Sequence, residues 1–177
     1  MCIRDSHHAE HNFKKIFKNE FLRIAIGGVI IVALTLLTGT RDYNGGGIDI
    51  INRIFEGGNV SYGAFLLKII FTFITVAAGY KGGEIVPTFF IGATMGYTVS
   101  VLVGLNPALG AAVGMAALFS GVTNCPLAAI ILSVEMFGTD AMIFCALSAV
   151  TSFLLSGSTG LYAAQRMIFS KYEEKAV

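Results

Sequence analysis

One acidic residue, Glu84, stands directly before the longest uncharged stretch of the chain, because residues 85 to 134 include no Asp, Glu, Lys or Arg. It follows Gly82 and Gly83 in the segment "GGEIVP". Two adjacent glycines permit unusual backbone conformations and let a ligand approach the main chain. A carboxylate at this place is either an ordinary acid at the start of a helix or a working group of the protein.

Pro87 predicts a helix start within this segment, since proline is well tolerated in the first turn of a helix, where its missing N–H costs nothing. We therefore expect a helix that begins near Glu84 or Ile85. Its free N–H groups and the positive end of its dipole need an acceptor, and in an apolar region an anion can supply one. These residues alone leave open whether the helix start is an anion site or an ordinary N-terminus.

A second segment, "TNCPLAAIILSVEMF", repeats this arrangement of a polar loop, an early proline and an apolar helix. Pro126 is expected in the first turn, with Asn124 or Thr123 as the N-cap. An acid inside a membrane raises a functional hypothesis. Glu135, however, lies near the C-terminal end of its apolar run, which favours a structural hydrogen bond over a part in transport.

Tyr162 follows the glycine-bounded break "GSTG". A phenol is an uncharged hydrogen-bond donor, which can hold an anion without trapping it as Lys or Arg would. Taken by itself, a tyrosine at this position is also typical of an aromatic anchor at the membrane surface.

The composition predicts a polytopic membrane protein. Of the 177 residues, 55% are hydrophobic and 13% are charged, whereas about a quarter of the residues of a soluble domain are charged. A formal net charge of +1 gives no reason to expect nucleic acid as a partner. The three cysteines match no disulfide or metal-binding pattern, so we expect no metal and no cofactor.

Apolar runs predict an all-α architecture of uneven helices. A short amphipathic helix is expected in "IDIINRIFEGG", with Ile50, Ile51, Ile54 and Phe55 on one side. The short runs are interrupted by Gly and Pro, which is typical of tilted, broken or re-entrant membrane helices. The long runs cover residues 21–39, 62–79 and 87–104, and the short runs cover residues 107–121, 124–137 and 141–156.

The two ends of the chain carry most of its basic residues, and the positive-inside rule therefore predicts that both termini are cytoplasmic. Residues 1–12 lack the apolar core of a signal peptide. We interpret them as a non-native or disordered leader, and their histidines as incidental rather than metal ligands. Residues 13–177 are expected to form the membrane region.

Three segments, taken together and in order, resemble CLC-type chloride channels and proton-coupled anion antiporters. "GGEIVP" has the spacing of the GxFxP motif of that family, and the Pro126 segment is similar to one that follows it there. "GLYAAQRMIFSK" is similar to the last helix of the family, with its pore tyrosine. The resemblance covers roughly residues 13–171 and implies the second of two inverted halves. Residues 13–177 are thus identified as the C-terminal half of a CLC-like transmembrane domain.

By this resemblance, an anion would be held at converging helix N-termini. The contacts carried over by position are the amides of Glu84 and Ile85 and the hydroxyl of Tyr162. The helix breaks around them would lie at Gly82, Gly83, Pro87, Asn124 and Pro126. The GSGIP and GREGP segments of the family, which complete its pathway, are not in this sequence.

The chain departs from the family motif at two positions. Ile85 occupies the phenylalanine position, and the residue before it is the acidic Glu84, which resembles the bacterial fluoride/proton-exchanging branch. A carboxylate beside an anion site is destabilised in its ionised form both by desolvation and by repulsion from the anion. Glu84 is therefore our candidate for a proton-coupling acid.

The resemblance implies transport of a halide, chloride or fluoride, by a channel or a proton-coupled antiporter rather than an enzyme. It also implies a bacterial inner-membrane protein that forms homodimers through helices 124–137 and 141–156. One alternative is a water or small-solute channel, because Asn106 to Ala108 is the aquaporin tripeptide NPA. Another is an inert membrane scaffold in which the GxxxG pairs Gly92/Gly96 and Gly110/Gly114 serve only packing.

Overall fold

The computed structural model describes residues 19–80 and 82–157, and every regular element in that part of the chain is an α-helix. The helices range from 8 residues in α2 to 19 in α1 and α4, so the all-α prediction and the predicted unevenness are both confirmed. The elements are α1 Glu20–Thr38, α2 Ile48–Phe55, α3 Ala64–Ala77, α4 Ile85–Val103, α5 Pro107–Thr123, α6 Pro126–Phe137 and α7 Met142–Leu155.

Glycines in the left-handed region end several of these helices. Gly39 follows α1 with φ 67°, and its N–H donates to the Thr35 carbonyl at 3.1 Å. Gly104 ends α4 with φ 78°. Because glycine adopts this conformation without a Cβ penalty, the turn residues in the sequence predict these ends well. The amphipathic α2 is also as predicted, with Ile50, Ile51 and Ile54 buried.

The core of the fold is the crossing of α4 and α5, where the two GxxxG pairs face each other. A Cβ added to Gly92 would lie 2.8 Å from the Gly114 carbonyl oxygen. One added to Gly110 would lie 2.7 Å from the Gly96 carbonyl oxygen. The two backbones are thus in direct contact, which is how small residues hold helices together where lipid removes the hydrophobic driving force. Both pairs therefore serve packing.

A second close contact joins α5 to α7 through serines. The Ser120 hydroxyl donates to the Ala149 carbonyl at 2.7 Å, and the Ser148 hydroxyl donates to the Val113 carbonyl at 3.2 Å. Such interhelical hydrogen bonds contribute in an apolar environment, where no water competes for the carbonyl. The α4–α5–α7 arrangement therefore fixes both ends of α5.

Two described helices, α1 and α4, are long and apolar enough to cross a membrane. Only 11% of the apolar window of α1 is buried within the protein, compared with 44% for α4. Helices α3, α5, α6 and α7 are shorter but also apolar. The outer surface of the fold is accordingly rich in exposed large apolar side chains, which suits contact with lipid tails.

Candidate functional site

Glu84 occupies the N-cap position of α4. Its carbonyl oxygen accepts both the N–H and the hydroxyl of Thr88, at 3.2 Å and 2.8 Å. Its side chain is half-buried and makes no capping hydrogen bond to the first turn of the helix. The helix therefore begins where the sequence predicts, but the carboxylate does not serve as its cap.

The first turn of α4 leaves two backbone donors without an acceptor inside the helix. Its first intrahelical bond is donated by Thr88, and Pro87 has no N–H. The amides of Ile85 and Val86 therefore require an acceptor from outside the helix, at the positive end of its dipole. Chemically, this helix end can accept an anion or an ordered polar group.

The surroundings of the two glycines before Glu84 are open among the described residues. Gly83 is not in the left-handed region, and a Cβ added to Gly82 or Gly83 would meet no described atom within 4 Å. The left-handed residue of this connection is Gly79, with φ 90°. The turn out of α3 thus depends on Gly79, and no described residue fills the space beside Gly82 and Gly83.

Asn124 lies between α5 and α6, but its part differs from the predicted one. It has φ 57° and ψ 30°, and its N–H donates to the Ser120 carbonyl, so it ends α5. The N-cap of α6 is Cys125, and Pro126 is the first residue of α6. The prediction of Asn124 or Thr123 as the N-cap of this helix is therefore wrong. Asparagine is one of the few residues other than glycine that adopt this backbone conformation readily.

Helices α4 and α5 bring the two breaks to the same end of the bundle. They run antiparallel, with Gly92 close to Gly114 and Gly96 close to Gly110. Nearer this end, the rings of Phe89 and Phe119 pack edge to face with centroids 4.9 Å apart. The same register places the N-terminus of α4 level with the C-terminus of α5. The N-termini of α4 and α6 therefore lie at one end of this pair, as an anion site between helix N-termini requires.

The other predicted acid, Glu135, lies away from these helix starts. It is exposed and follows Pro126 by nine residues, which is about 14 Å along the axis of α6. Tyr162, the third predicted anion contact, lies outside the described residues, as do the histidines of the leader. Within residues 19–80 and 82–157, no three His, Cys, Asp or Glu residues are grouped in a way that could hold a metal ion.

Lys68 is a buried cation whose part the sequence does not predict. It is 2% exposed, and its ammonium donates to the carbonyls of Tyr43 and Gly45 at 3.0 Å and 2.6 Å. It also lies 5.0 Å from the ring centroid of Phe90 in the second turn of α4. Lys68 therefore joins the α1–α2 loop to the helix that carries the candidate site. The one available signal is a lone lysine in an apolar run, which is rarely placed there without a partner.

Arg23 is a second buried cation, at 5% exposure, and it lies in α1. Its Nε donates to the carbonyl oxygen of Ala78 at 3.1 Å, at the C-terminal end of α3. Ala78 is six residues before Glu84. The sequence shows Arg23 only as one of several basic residues near the start of the first apolar run.

Comparisons with known proteins give a consistent result. Residues 3–157 match the family model described as "Voltage gated chloride channel". The chain is 34% identical over 165 residues to a "Chloride/fluoride channel protein" of Pseudomonas syringae pv. tomato, an alignment that covers 90% of the chain and 36% of the relative. It is 28% identical over 174 residues to the "H(+)/Cl(-) exchange transporter ClcA" of Vibrio cholerae, covering 88% of the chain and 36% of the relative.

Among solved structures, the fold is similar to the "Crystal structure of a CLC-type fluoride/proton antiporter", with a TM-score of 0.80 and 30% sequence identity. That match covers 88% of this chain and 39% of the other chain. The chain thus spans little more than a third of the length of the curated relatives that it matches.

Proposed function

This chain belongs to the voltage-gated chloride channel family, and we propose that it is part of a multi-pass membrane protein that moves small anions across the membrane. The membership agrees with the resemblance to CLC-type proteins and with the prediction that the chain is not an enzyme. The substrate anion is a halide, chloride or fluoride, since the names of the relatives include both ions.

The observation that carries this proposal is the start of α4. The amides of Ile85 and Val86 face out of the helix end because Pro87 cannot donate and the ladder begins at Thr88. The space around Gly82 and Gly83 is open among the described residues, so an ion can approach these amides. We assign one anion contact to the amide of Ile85, and by the family resemblance we add the backbone of Glu84 and the Tyr162 hydroxyl. Gly82, Gly83, Pro87, Asn124 and Pro126 form the helix breaks around them.

Glu84 is assigned as the proton-coupling acid of this site. Its side chain makes no capping bond to α4, so capping does not account for a carboxylate at this position. Protonation of a carboxylate next to an anion is favourable, because it removes the repulsion between the two negative charges. Binding of the anion and binding of the proton would thereby favour each other.

The proposed setting is a bacterial inner membrane with both termini in the cytoplasm. We take residues 13–177 as the C-terminal half of the transmembrane domain and residues 1–12 as a leader. Homodimerisation would occur through residues 124–137 and 141–156. In support, α6 and α7 carry large apolar side chains that are exposed in the single chain, among them Leu127, Ile131, Ile143, Phe144 and Leu147.

The water-channel alternative has a weaker structural basis. The side chain of Asn106 is the N-cap of α5 and accepts the N–H groups of Ala108 and Leu109 at 3.0 Å and 3.5 Å. The NPA tripeptide is therefore explained as an ordinary helix start. The scaffold alternative accounts for the GxxxG pairs but gives no role to the amides of Ile85 and Val86, which have no acceptor within α4.

Anion flux from liposomes tests the proposed function. The full-length protein that contains this segment is reconstituted with chloride or fluoride inside, and the release of each ion is followed with an ion-selective electrode. We expect release of at least one of the two ions above the rate of empty liposomes. Osmotic swelling without anion release would instead favour the water channel, and neither process would favour the scaffold.

A further inference from the structure

A short part of α1 holds the C-terminal end of α3, immediately before the candidate anion site. Arg23 is 5% exposed, and its guanidinium donates to the carbonyl oxygen of Ala78, the C-cap residue of α3, at 3.1 Å. The next residue, Gly79, packs directly on this guanidinium. A Cβ added to Gly79 would lie 2.5 Å from Nη2 and 3.1 Å from Cζ of Arg23.

Two further contacts hold the same segment. The hydroxyl of Tyr80 donates to the carbonyl oxygen of Ile24 at 3.0 Å. Gly28 lies under this hydroxyl, since an added Cβ would be 3.0 Å from it. We call the contact of residues 23–28 with residues 78–80 the α1 clasp. Its two hydrogen bonds join residues that are 55 and 56 positions apart in the sequence.

The clasp is close in the chain to the first turn of α4. Residues 79–83 connect the two helices, so Ala78 is at most about 20 Å from Glu84 even for a fully extended chain. Among the described residues of this connection there is no helix or strand. A connection this short limits how far the α4 N-terminus can lie from the end of α3.

The charge of Arg23 also suits an anion site. The last carbonyls of α3 form the negative end of a helix dipole, whereas the first amides of α4 form a positive end. A negative helix end within this distance weakens anion binding, and in an apolar surrounding the field is poorly screened. A guanidinium bonded to the Ala78 carbonyl offsets that negative end and satisfies one of its acceptors.

We propose that Arg23 is a positioning residue for the anion site: through the α1 clasp it fixes the α3–α4 connection and offsets the negative end of α3. This inference rests on the proposed function as far as the anion is concerned. The positioning itself is a property of the fold and can be measured without transport.

Hydrogen–deuterium exchange of the full-length protein in lipid nanodiscs tests the positioning. Replacing Arg23→Gln removes the charge and the packing on Gly79. The amides of Gly79, Tyr80 and Thr88 report on this change, because they donate to the carbonyls of Val76, Thr75 and Glu84. We expect these three amides to exchange about tenfold faster, as for the loss of one charge-assisted hydrogen bond. Arg23→Lys should recover part of this protection. The matched control is Arg53→Gln, because the side chain of Arg53 is 48% exposed and pairs only loosely with Asp42, at 3.7 Å.

Two results would overturn the proposal. One is exchange of the Gly79, Tyr80 and Thr88 amides that is the same in Arg23→Gln as in Arg53→Gln. The other is a rise spread evenly over α1 and α3, which would make Arg23 a general stability residue. If Arg23→Gln does not fold, Tyr80→Phe replaces it, with an expected rise of about threefold in the same three amides for one neutral hydrogen bond, and no rise contradicts the clasp.

Transport gives the second readout. In Arg23→Gln the half-saturating anion concentration should rise more than the maximal rate falls, because the site is weakened rather than removed, and Arg23→Lys should lie closer to the unmodified protein. A fall in the maximal rate with an unchanged half-saturating anion concentration would contradict the proposal that Arg23 offsets the negative end of α3. If the unmodified protein moves no anion, the proposed function fails, while the exchange experiment still decides the clasp.

Discussion

The ammonium of Lys68 lies 2.6 Å from the carbonyl oxygen of Gly45, and this contact ties the middle of the fold to the loop after α1. The next residues of that loop pack on α4: a Cβ added to Gly46 would lie 3.0 Å from Cγ1 of Val86, and one added to Gly47 would lie 2.7 Å from Cε2 of Phe90. Lys68 and this loop therefore pack against the first two turns of α4 and stabilise them.

Lys68→Met is expected to lower the free energy of unfolding by about 3 kcal/mol, because it leaves the buried carbonyl of Tyr43 and the partly buried carbonyl of Gly45 without their charged donor. Thermal unfolding of the full-length protein in detergent measures this change. Lys68→Arg, which keeps a donor and a charge, should cost less. Equal stability of Lys68→Met and the unmodified protein would show that the contact does not stabilise the fold.

Gly96→Leu is expected to separate α4 from α5, because the space beside Gly96 is occupied by Gly110 and Gly114. Overpacking of a well-filled contact costs about 3 kcal/mol. The control on the same helix is Met95→Leu, since Met95 is 50% exposed and its replacement should leave stability within about 0.5 kcal/mol. The account of the α4–α5 crossing fails if the two variants unfold at the same temperature.

Gly83→Ala tests whether a glycine at position 83 is needed for anion binding rather than for the stability of the fold. Since an added Cβ meets no described atom within 4 Å and Gly83 is not left-handed, stability should change by less than about 0.5 kcal/mol. The half-saturating anion concentration should nevertheless rise about tenfold, because the added methyl group would keep the ion from one of the neighbouring amide donors. Unchanged anion affinity would place the ion elsewhere.

Asn124→Ala tests the left-handed residue that ends α5. Alanine in this conformation costs about 1 to 2 kcal/mol, so this variant should be less stable than Asn124→Gly by about that amount, although both lose the 3.4 Å contact with the Ser156 hydroxyl. Comparison of their unfolding midpoints isolates the backbone effect. Equal midpoints would mean that the backbone conformation of Asn124 contributes nothing.

Local signals in the sequence predict much of this fold. The start of α4 follows from Pro87, and the packing side of α2 follows from the spacing of Ile50, Ile51 and Ile54, because these features depend on neighbours within one or two turns. The role of Asn124 does not follow from local signals: it ends α5 rather than beginning α6, and the same residue type is favoured both as an N-cap and in the left-handed C-terminal position.

The contacts of Arg23 and Lys68 could not be predicted from the sequence in the same way. Their acceptors are backbone carbonyls 55 and 23 to 25 positions away, and a backbone carbonyl has no sequence signature. The requirement for glycine at position 79 likewise arises from a side chain of another helix. Such features depend on how the helices are arranged rather than on local propensity.

The most direct test of the central claim compares Glu84→Gln with Glu135→Gln in the full-length protein. Anion and proton movements are recorded together in liposomes under an imposed anion gradient. We predict that Glu84→Gln still moves the anion but no longer moves protons with it, whereas Glu135→Gln, at the far end of α6, keeps the coupling of the unmodified protein. Unchanged proton movement in Glu84→Gln would contradict the assignment of Glu84 as the coupling acid.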